Sequence, residues 1–288
     1  MHSFEWVEPK TMAEALNYLS LDDTNVRMVS GGTALMLMMK SGVFAPTKLV
    51  NLRSVQGFSD ICVKDQHLCI GSLTSLAEIE HSPLVAKELP VLNEVMKKLS
   101  NVRVRNAARL GGALSHGDPH MDLPPLLSCL DASVRIQNKD STRVMQVQDL
   151  YVGYYETALE KNELITEVLI PLKPKHHSVY MKCTTRSADD WPALGVAVNL
   201  KSNKNTIEDI RIVLGAVSEV PTTLSLTQAF LTNKSINDAV LDEAAAIALT
   251  EISPLSDELG SSEYKLHLVS IYVKRAIQAL MNKGANNG

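Results

Sequence analysis

The chain is short of the residues that build metal clusters. Its 288 residues include four cysteines, Cys62, Cys69, Cys129 and Cys183, and no two of them are spaced C-x-x-C. Iron–sulfur and zinc centres are therefore not expected in this chain, nor is any other metal site. The thiols are expected to be reduced, as in a cytoplasmic protein. The longest apolar run, Ala34 to Met39, is far too short to cross a bilayer. Met1 to Lys10 carries two acids and no apolar stretch of the signal-peptide kind, so a cytoplasmic location is expected. A formal net charge of -4 gives no general attraction to nucleic acid or to anionic membrane. No internal repeat stands out, and the Asn/Gly tail Asn282 to Gly288 is expected to fray.

What is present is an ordinary globular composition, 45% hydrophobic and 21% charged, over a length that suggests about two domains. Two glycine pairs mark it. Ser30-Gly31-Gly32-Thr33 lies between an expected strand, Val26 to Val29, and an expected helix, Ala34 to Lys40. Leu110-Gly111-Gly112-Ala113 lies in the stretch Asn101 to Asp122, followed by two acids, Asp118 and Asp122. Glycine lets backbone turn through positive φ and lie against a ligand. N–H groups in such a turn can converge on an anion, and an acid about ten residues on is placed to accept ribose hydroxyls. Neither pair reads G-x-G-x-x-G or the P-loop pattern, so those two nucleotide folds lack their fingerprints.

Along the chain, a β-α-β pattern in the first fifty residues predicts a small α/β unit. Thr11, with Glu14 three residues on, predicts a capped helix, and Met36, Met38 and Met39 are expected in a core. Ile61 to Gly71 predicts a hairpin, with Thr74 or Ser75 capping a short helix behind it. Leu84 to Leu99 predicts a helix broken or kinked near Pro90. Ala132 to Gln137 pairs with Arg143 to Val147, and Glu163 to Ile170 is a further strand. Pro171 to Pro174 is the expected boundary. Beyond it, Ser178 to Arg186, Ala193 to Lys201 and Ile207 to Ala216 predict a three-stranded antiparallel meander. Helices follow over Leu224 to Leu231, Ile236 to Thr250 and Ser262 to Asn282, the last with an apolar stripe through Leu266, Val269, Val273, Ile277 and Leu280.

With these pieces in order, the chain resembles the FAD-binding medium subunit of the molybdenum hydroxylases, the xanthine dehydrogenase and carbon monoxide dehydrogenase group. Ser30 to Thr33 resembles the family's A-G-G-T, Pro46 to Leu52 its P-x-x-L-I-D-L, and Ile70 to Thr74 its I-G-A-x-T. Val104-Arg105-Asn106 through Leu114, then Asp118-Pro119 to Asp122-Leu123-Pro124, resembles I-R-N-x-x-T-I-G-G-N-L and D-P-x-x-D-L-P. Glu163-Leu164-Ile165 resembles an E-L-L, and Lys182, Arg186 and Asp190 a K-x-x-x-R-x-x-x-D. Asp257, Gly260, Ser261 and Tyr264-Lys265 resemble its closing D-x-x-G-S-x-x-Y-R. The chain departs where the family's T-I-G-G-N is Arg109-Leu110-Gly111-Gly112-Ala113, which puts tight FAD binding in question and leaves Arg109 as a cation for phosphate.

The resemblance implies an α+β fold. A two-subdomain α/β FAD-binding domain over 1–173 (about 1–55 and 56–173) would precede a C-terminal domain over 174–288 with a three-stranded antiparallel sheet and helices. It implies FAD as cofactor, with Ser30, Gly31, Gly32, Thr33, Ala34 and Leu35 at the pyrophosphate. Arg109, Leu110, Gly111, Gly112 and Ala113 would form the second cofactor loop, with Asp118 in the same motif and Asp122 at the ribose. Ile165 backbone and Lys182 would sit by the flavin, with Trp191 over a ring face. No residue of this chain would be catalytic in its own right. Molybdopterin and 2Fe-2S clusters would belong to a large and a small partner subunit. Electrons would pass from the clusters to this FAD and on to NAD or another acceptor. Substrate, terminal acceptor and oligomeric state are not implied.

Plainer readings stand beside these. Asp122 is placed to cap a helix, Asp118 to form a turn, Lys182 to be solvated, Arg186 and Asp190 to pair, and Trp191 to pack in a core. His116 and His120 flank Asp118 without a metal-ligand spacing. Tyr151, Tyr154 and Tyr155 suit either a partner surface or the edge of a core. A self-contained flavin-dependent reductase or oxidase of the same fold is the alternative function, and a scaffold that has lost FAD is a third.

Overall fold

The computed structural model describes residues 3–19 and 25–285, with the side chains of 283–285 left aside; the last three residues of the expected frayed tail lie outside the described residues. The chain forms two compact units. The first comprises Met1–Gly117, Ser133–Leu150 and Glu156–Ile170; the second comprises Asp118–Ala132, Tyr151–Tyr155 and Pro171–Gly288.

The first unit opens with a three-stranded sheet in the order Glu5–Val7, Lys48–Asn51, Val26–Val29, parallel throughout. Parallel neighbours need crossovers, and the helices Met12–Leu19 and Leu35–Lys40 supply them. Thr11 Oγ1 accepts the Glu14 N–H at 3.2 Å, while the Glu14 carboxylate takes the Lys10 N–H at 2.7 Å. Met12, Ala15 and Leu16 pack on Leu52, Val55 and Leu73. Met39 is buried with Val29 and Leu49, and Met36 packs partly against them.

A second sheet in this unit runs Ile61–Lys64, His67–Gly71, Leu164–Pro171, Ser133–Gln137, Thr142–Gln146. The first two strands are the expected hairpin. Ser75 caps the helix Leu76–His81 in a complete capping box with Glu78. The helical stretch expected to break near Pro90 does so, into Pro83–Glu88 and Pro90–Met96. Pro90 forces the break: Leu89 leaves helical geometry at φ -143°, and the proline opens the next helix. Two further helices follow, Val102–Ala107 and Leu110–Ser115, the second where the glycine pair suggested a turn.

The second unit holds an antiparallel sheet in the order His177–Thr184, Pro192–Asn203, Thr206–Gly215, Thr222–Thr223. It has four strands, not three. Thr222–Thr223 adds a two-residue edge that is too short to show a period of its own. The central strand is buried on both faces. Leu194, Val196, Val198 and Leu200 meet Val269, Val273, Ile277 and Leu280 of the helix Ser262–Ala285. Ala197, on the other face, packs with Val213, Cys129 and Tyr180. That second face is covered by the helix Leu123–Cys129. Gly215 permits the approach, because a Cβ there would stand 2.6 Å from Pro125 Cγ. Among the described residues no helix is long and apolar enough to cross a membrane.

Candidate cofactor site

The first unit contains a cavity of about 810 Å³, within the size of small-molecule and cofactor sites, roughly 300–1,000 Å³. One wall is small and polar, made by Ser30, Ser72, Gly111, Gly112 and Ser115; another is apolar, with Leu19, Leu52, Leu73, Leu164 and Ile165. Its charged lining is mixed, Arg27 and Lys161 with Asp140, Glu160 and Glu163.

Ser30 reaches the cavity because the parallel strand Val26–Val29 ends just before it. The chain then reverses at Gly32, whose φ is 70°. Gly31 stays at negative φ and is small for another reason: a Cβ would lie 2.5 Å from the Ala107 carbonyl oxygen. Thr33 and Ala34 complete the turn, and the helix begins at Leu35. Ala34 offers no side-chain cap, and Met36 N–H reaches Gly32 O at 3.0 Å. The first-turn N–H groups of a helix without a cap are donors in need of acceptors. Leu35 itself turns to the Val29/Leu49 core.

The second glycine pair differs from expectation. Neither Gly111 nor Gly112 takes positive φ; both lie in the first turn of the helix Leu110–Ser115. The backbone preceding this pair needs no reversal, since Arg109 is extended and bridges to Ser75. Gly111 is small because a Cβ would meet Ser72 Cβ at 2.7 Å, and its N–H donates to Ser72 O at 2.8 Å. Gly112 faces Ser30, with a Cβ only 3.1 Å from Ser30 Oγ, so the two glycine segments meet on one cavity wall. Leu110 and Ala113 are buried in the core. Arg109 is largely buried, pairs with Glu78 at 3.5 Å and is outside the cavity lining. Burial pulls its guanidinium below the usual range; nearby Arg53 adds to this and Glu78 opposes it.

The segment 159–165, which runs into the strand Leu164–Pro171, also lines the cavity. Glu163 is anchored there by Arg143 through two bonds of 2.6 and 2.7 Å, with the Glu160 N–H at 2.8 Å. The Arg143 bonds hold its carboxyl below the ordinary range, against burial. Beside it, Asn162 Oδ1 is buried and, among the described residues, has no hydrogen-bond partner. A register shift between Ile165 and Glu167 places Ile165 on the wall. Arg27, Lys161 and Asn162 were not singled out from the sequence; they belong to no periodic or glycine-rich signal.

These features fit a nucleotide cofactor. A helix start without a side-chain cap after Ser30, a wall kept free of side chains at Gly112 and an orphaned acceptor in a cavity suit phosphates and a ring N–H.

Four residues named from the sequence lie in the second unit. The Asp122 carboxylate accepts Tyr180 Oη–H at 2.8 Å and Lys182 Nζ at 3.1 Å. Burial pushes that carboxyl up, and Lys182 and Tyr180 pull against it. Asp122 makes no helix-capping bond. Lys182 is not solvated: its side chain is buried and also donates to Asp190 O at 3.1 Å. Asp118 does form a turn, accepting the His120 N–H at 2.9 Å, and its carboxylate takes His120 Nδ1 at 3.0 Å and Tyr155 Oη–H at 2.7 Å. Trp191 is 52% exposed and stacks on His120, so it is no core residue. Tyr151 is buried, whereas Tyr154 and Tyr155 are exposed.

Residues 2–173 match the FAD binding domain in molybdopterin dehydrogenase, and residues 179–280 match the CO dehydrogenase flavoprotein C-terminal domain. The chain is 28% identical to the glyceraldehyde dehydrogenase medium chain of Sulfolobus acidocaldarius, over 96% of this chain and 97% of that one. It is 28% identical to the carbon monoxide dehydrogenase medium chain of Afipia carboxidovorans, over 99% of each. Among solved structures, quinoline 2-oxidoreductase from Pseudomonas putida 86 superposes with a TM-score of 0.93 at 29% identity, over 99% of this chain and 98% of that one. The cavity and these matches agree on one conclusion: the chain belongs to the FAD-binding medium subunits of the molybdenum hydroxylase family, as an oxidoreductase subunit.

Proposed function

We propose that this chain holds FAD in the first-unit cavity and relays electrons within a heteromeric molybdenum hydroxylase. The observation that carries the reading is the wall where Gly112 meets Ser30, in a cavity that the unpaired Asn162 acceptor also lines. FAD supplies two-electron redox chemistry when bound. The N–H groups of Gly32 to Leu35 bind pyrophosphate at the helix start, with Ser30 beside them. Gly112 keeps the wall clear, Asn162 Oδ1 accepts a ring N–H, and Ile165 offers backbone and an apolar contact. The resemblance alone assigns Asp118, Asp122, Lys182 and Trp191 to the same cofactor.

The relatives' names as medium chains support partners of two kinds, a large molybdopterin subunit and a small 2Fe-2S subunit. The expected route runs from those clusters to this chain and then to NAD or another acceptor. The test is purification of the complex from its host, an absorption spectrum and acid release of the chromophore. One FAD per chain, co-purifying with molybdenum- and iron-bearing subunits, is the expected result. A colourless chain isolated without partners would overturn it.

A further inference from the structure

A polar network in the second unit takes no part in the proposed pyrophosphate site. His120 Nδ1 lies 3.0 Å from Asp118 Oδ1, and its Nε2 lies 3.0 Å from Asp257 Oδ2. Both carboxylates take several donors, three on Asp118 and four on Asp257. Asp118 also takes the His120 N–H and the Tyr155 hydroxyl. Asp257 also takes the N–H groups of Leu259 and Gly260, at 2.8 and 3.2 Å, and the Lys265 ammonium. Every oxygen of the two acids already accepts at least one donor, and both groups stand as carboxylates. Each faces a ring nitrogen, and a carboxylate accepts only. Both nitrogens of His120 must therefore donate, which makes the ring an imidazolium.

The charges close as well. Two carboxylates meet two cations, His120 and Lys265, and Lys265 is 1% exposed with a further bond to Ala216 O at 2.7 Å. A neutral His120 would leave one uncompensated negative charge in a network whose Asp118 and Lys265 are buried. Other titratable groups face it as well: Tyr155 on Asp118, with Tyr154 and Glu258 nearby. The imidazole plane is fixed by bonds at both ends. On it lies the Trp191 indole, with ring centroids 6.0 Å apart and planes 8° from parallel, an offset stack. The indole is otherwise half exposed.

We infer that His120 is a positioning residue, an imidazolium clamped between Asp118 and Asp257 that fixes the plane of the Trp191 indole. The inference rests on the flavin-facing reading of Trp191 only for its consequence at the cofactor.

The test uses the full chain carrying Trp6→Phe, which leaves Trp191 as the one indole. Imidazole ¹⁵N NMR at pH 8 is expected to show His120 protonated on both nitrogens. A free imidazole of pKa about 6.5 is roughly 97% neutral there. His120→Gln is expected to raise Trp191 emission and lower its anisotropy at pH 8. Asp257→Asn keeps the ring and removes one anion, and should make His120 neutral at pH 8 with the same emission change. A His120 that is already neutral at pH 8, or Trp191 signals unmoved in a folded variant, would overturn the inference. The flavin midpoint potential separates the two readings. Should emission change in His120→Gln while the potential stays put, His120 keeps its role and the flavin-facing reading of Trp191 falls.

Discussion

The polar groups singled out in the two units are arranged in opposite ways. In the first, groups around the cavity are left open: Asn162 Oδ1 has no partner among the described residues, and the helix after Ala34 starts without a side-chain cap. In the second, the charges are closed on one another, as Asp122 with Lys182 and as Asp118, His120, Asp257 and Lys265. Unpaired polar groups cost stability, so a fold that keeps them at a cavity wall reserves them for a ligand. Closed networks satisfy themselves, and their breakage is felt first in the stability of the protein.

The largest effect should come from opening the closed network. Asp257→Ala strands buried Lys265 and removes one clamp from His120. Asp257 itself is exposed, so the cost is that of the buried Lys265 ammonium left without its partner, a loss of about 3 kcal/mol, seen as a lower denaturant midpoint. A loss below 1 kcal/mol would mean that solvent replaces the pairing.

The same network should shape stability against pH. The hydrogen bonds from His120 and Tyr155 hold Asp118 below its ordinary value, although burial pulls the other way. Asp257 is likewise lowered by His120 and Lys265 against burial. Their contribution is present above the unfolded carboxylate value, about 3.9, and is lost as pH falls through the lowered folded values. His120 is raised by the two carboxylates against burial. Its contribution is complete below about 6.5 and is lost as pH rises through the raised folded value. Stability from the network should therefore be greatest between about pH 4 and 6.5, and His120→Gln should flatten the alkaline side of a melting-temperature profile.

A smaller effect is expected at Gly111. Alanine there meets Ser72 Cβ at 2.7 Å, an overpacking cost of about 1–3 kcal/mol. Ser72→Gly in the same chain should recover most of it, read as a coupling energy in a double-mutant cycle. The smallest change in stability belongs to Asn162→Leu, which removes an unpaired acceptor and should shift stability by less than about 1 kcal/mol. Its effect should appear in FAD affinity, weakened roughly tenfold for one lost hydrogen bond of about 1.4 kcal/mol.

How far this contrast was legible in the sequence depends on how local each signal is. The strand, glycine and helix order around Ser30 to Thr33 could be read because each part lies beside the next. The helix Leu110–Ser115 could not, since a glycine pair reads as a turn until Ser72 is seen packed against it. Pro90 announced the break that separates two helices. His120 and Asp257 are 137 residues apart, and no spacing rule joins them. Asn162 carries no pattern at all and became visible only as an unpaired atom in a cavity.

The most direct measurement is an FAD titration of the full chain by flavin fluorescence, native against Gly112→Val. The valine would fill the gap beside Ser30 Oγ, 3.1 Å from the glycine's Cβ position. One FAD per native chain is expected, with binding at least about tenfold weaker in the variant, a change of 1.4 kcal/mol or more, and little change in melting temperature. A native chain that binds no FAD, or a folded variant that binds it equally well, would contradict the placement of the cofactor at this wall.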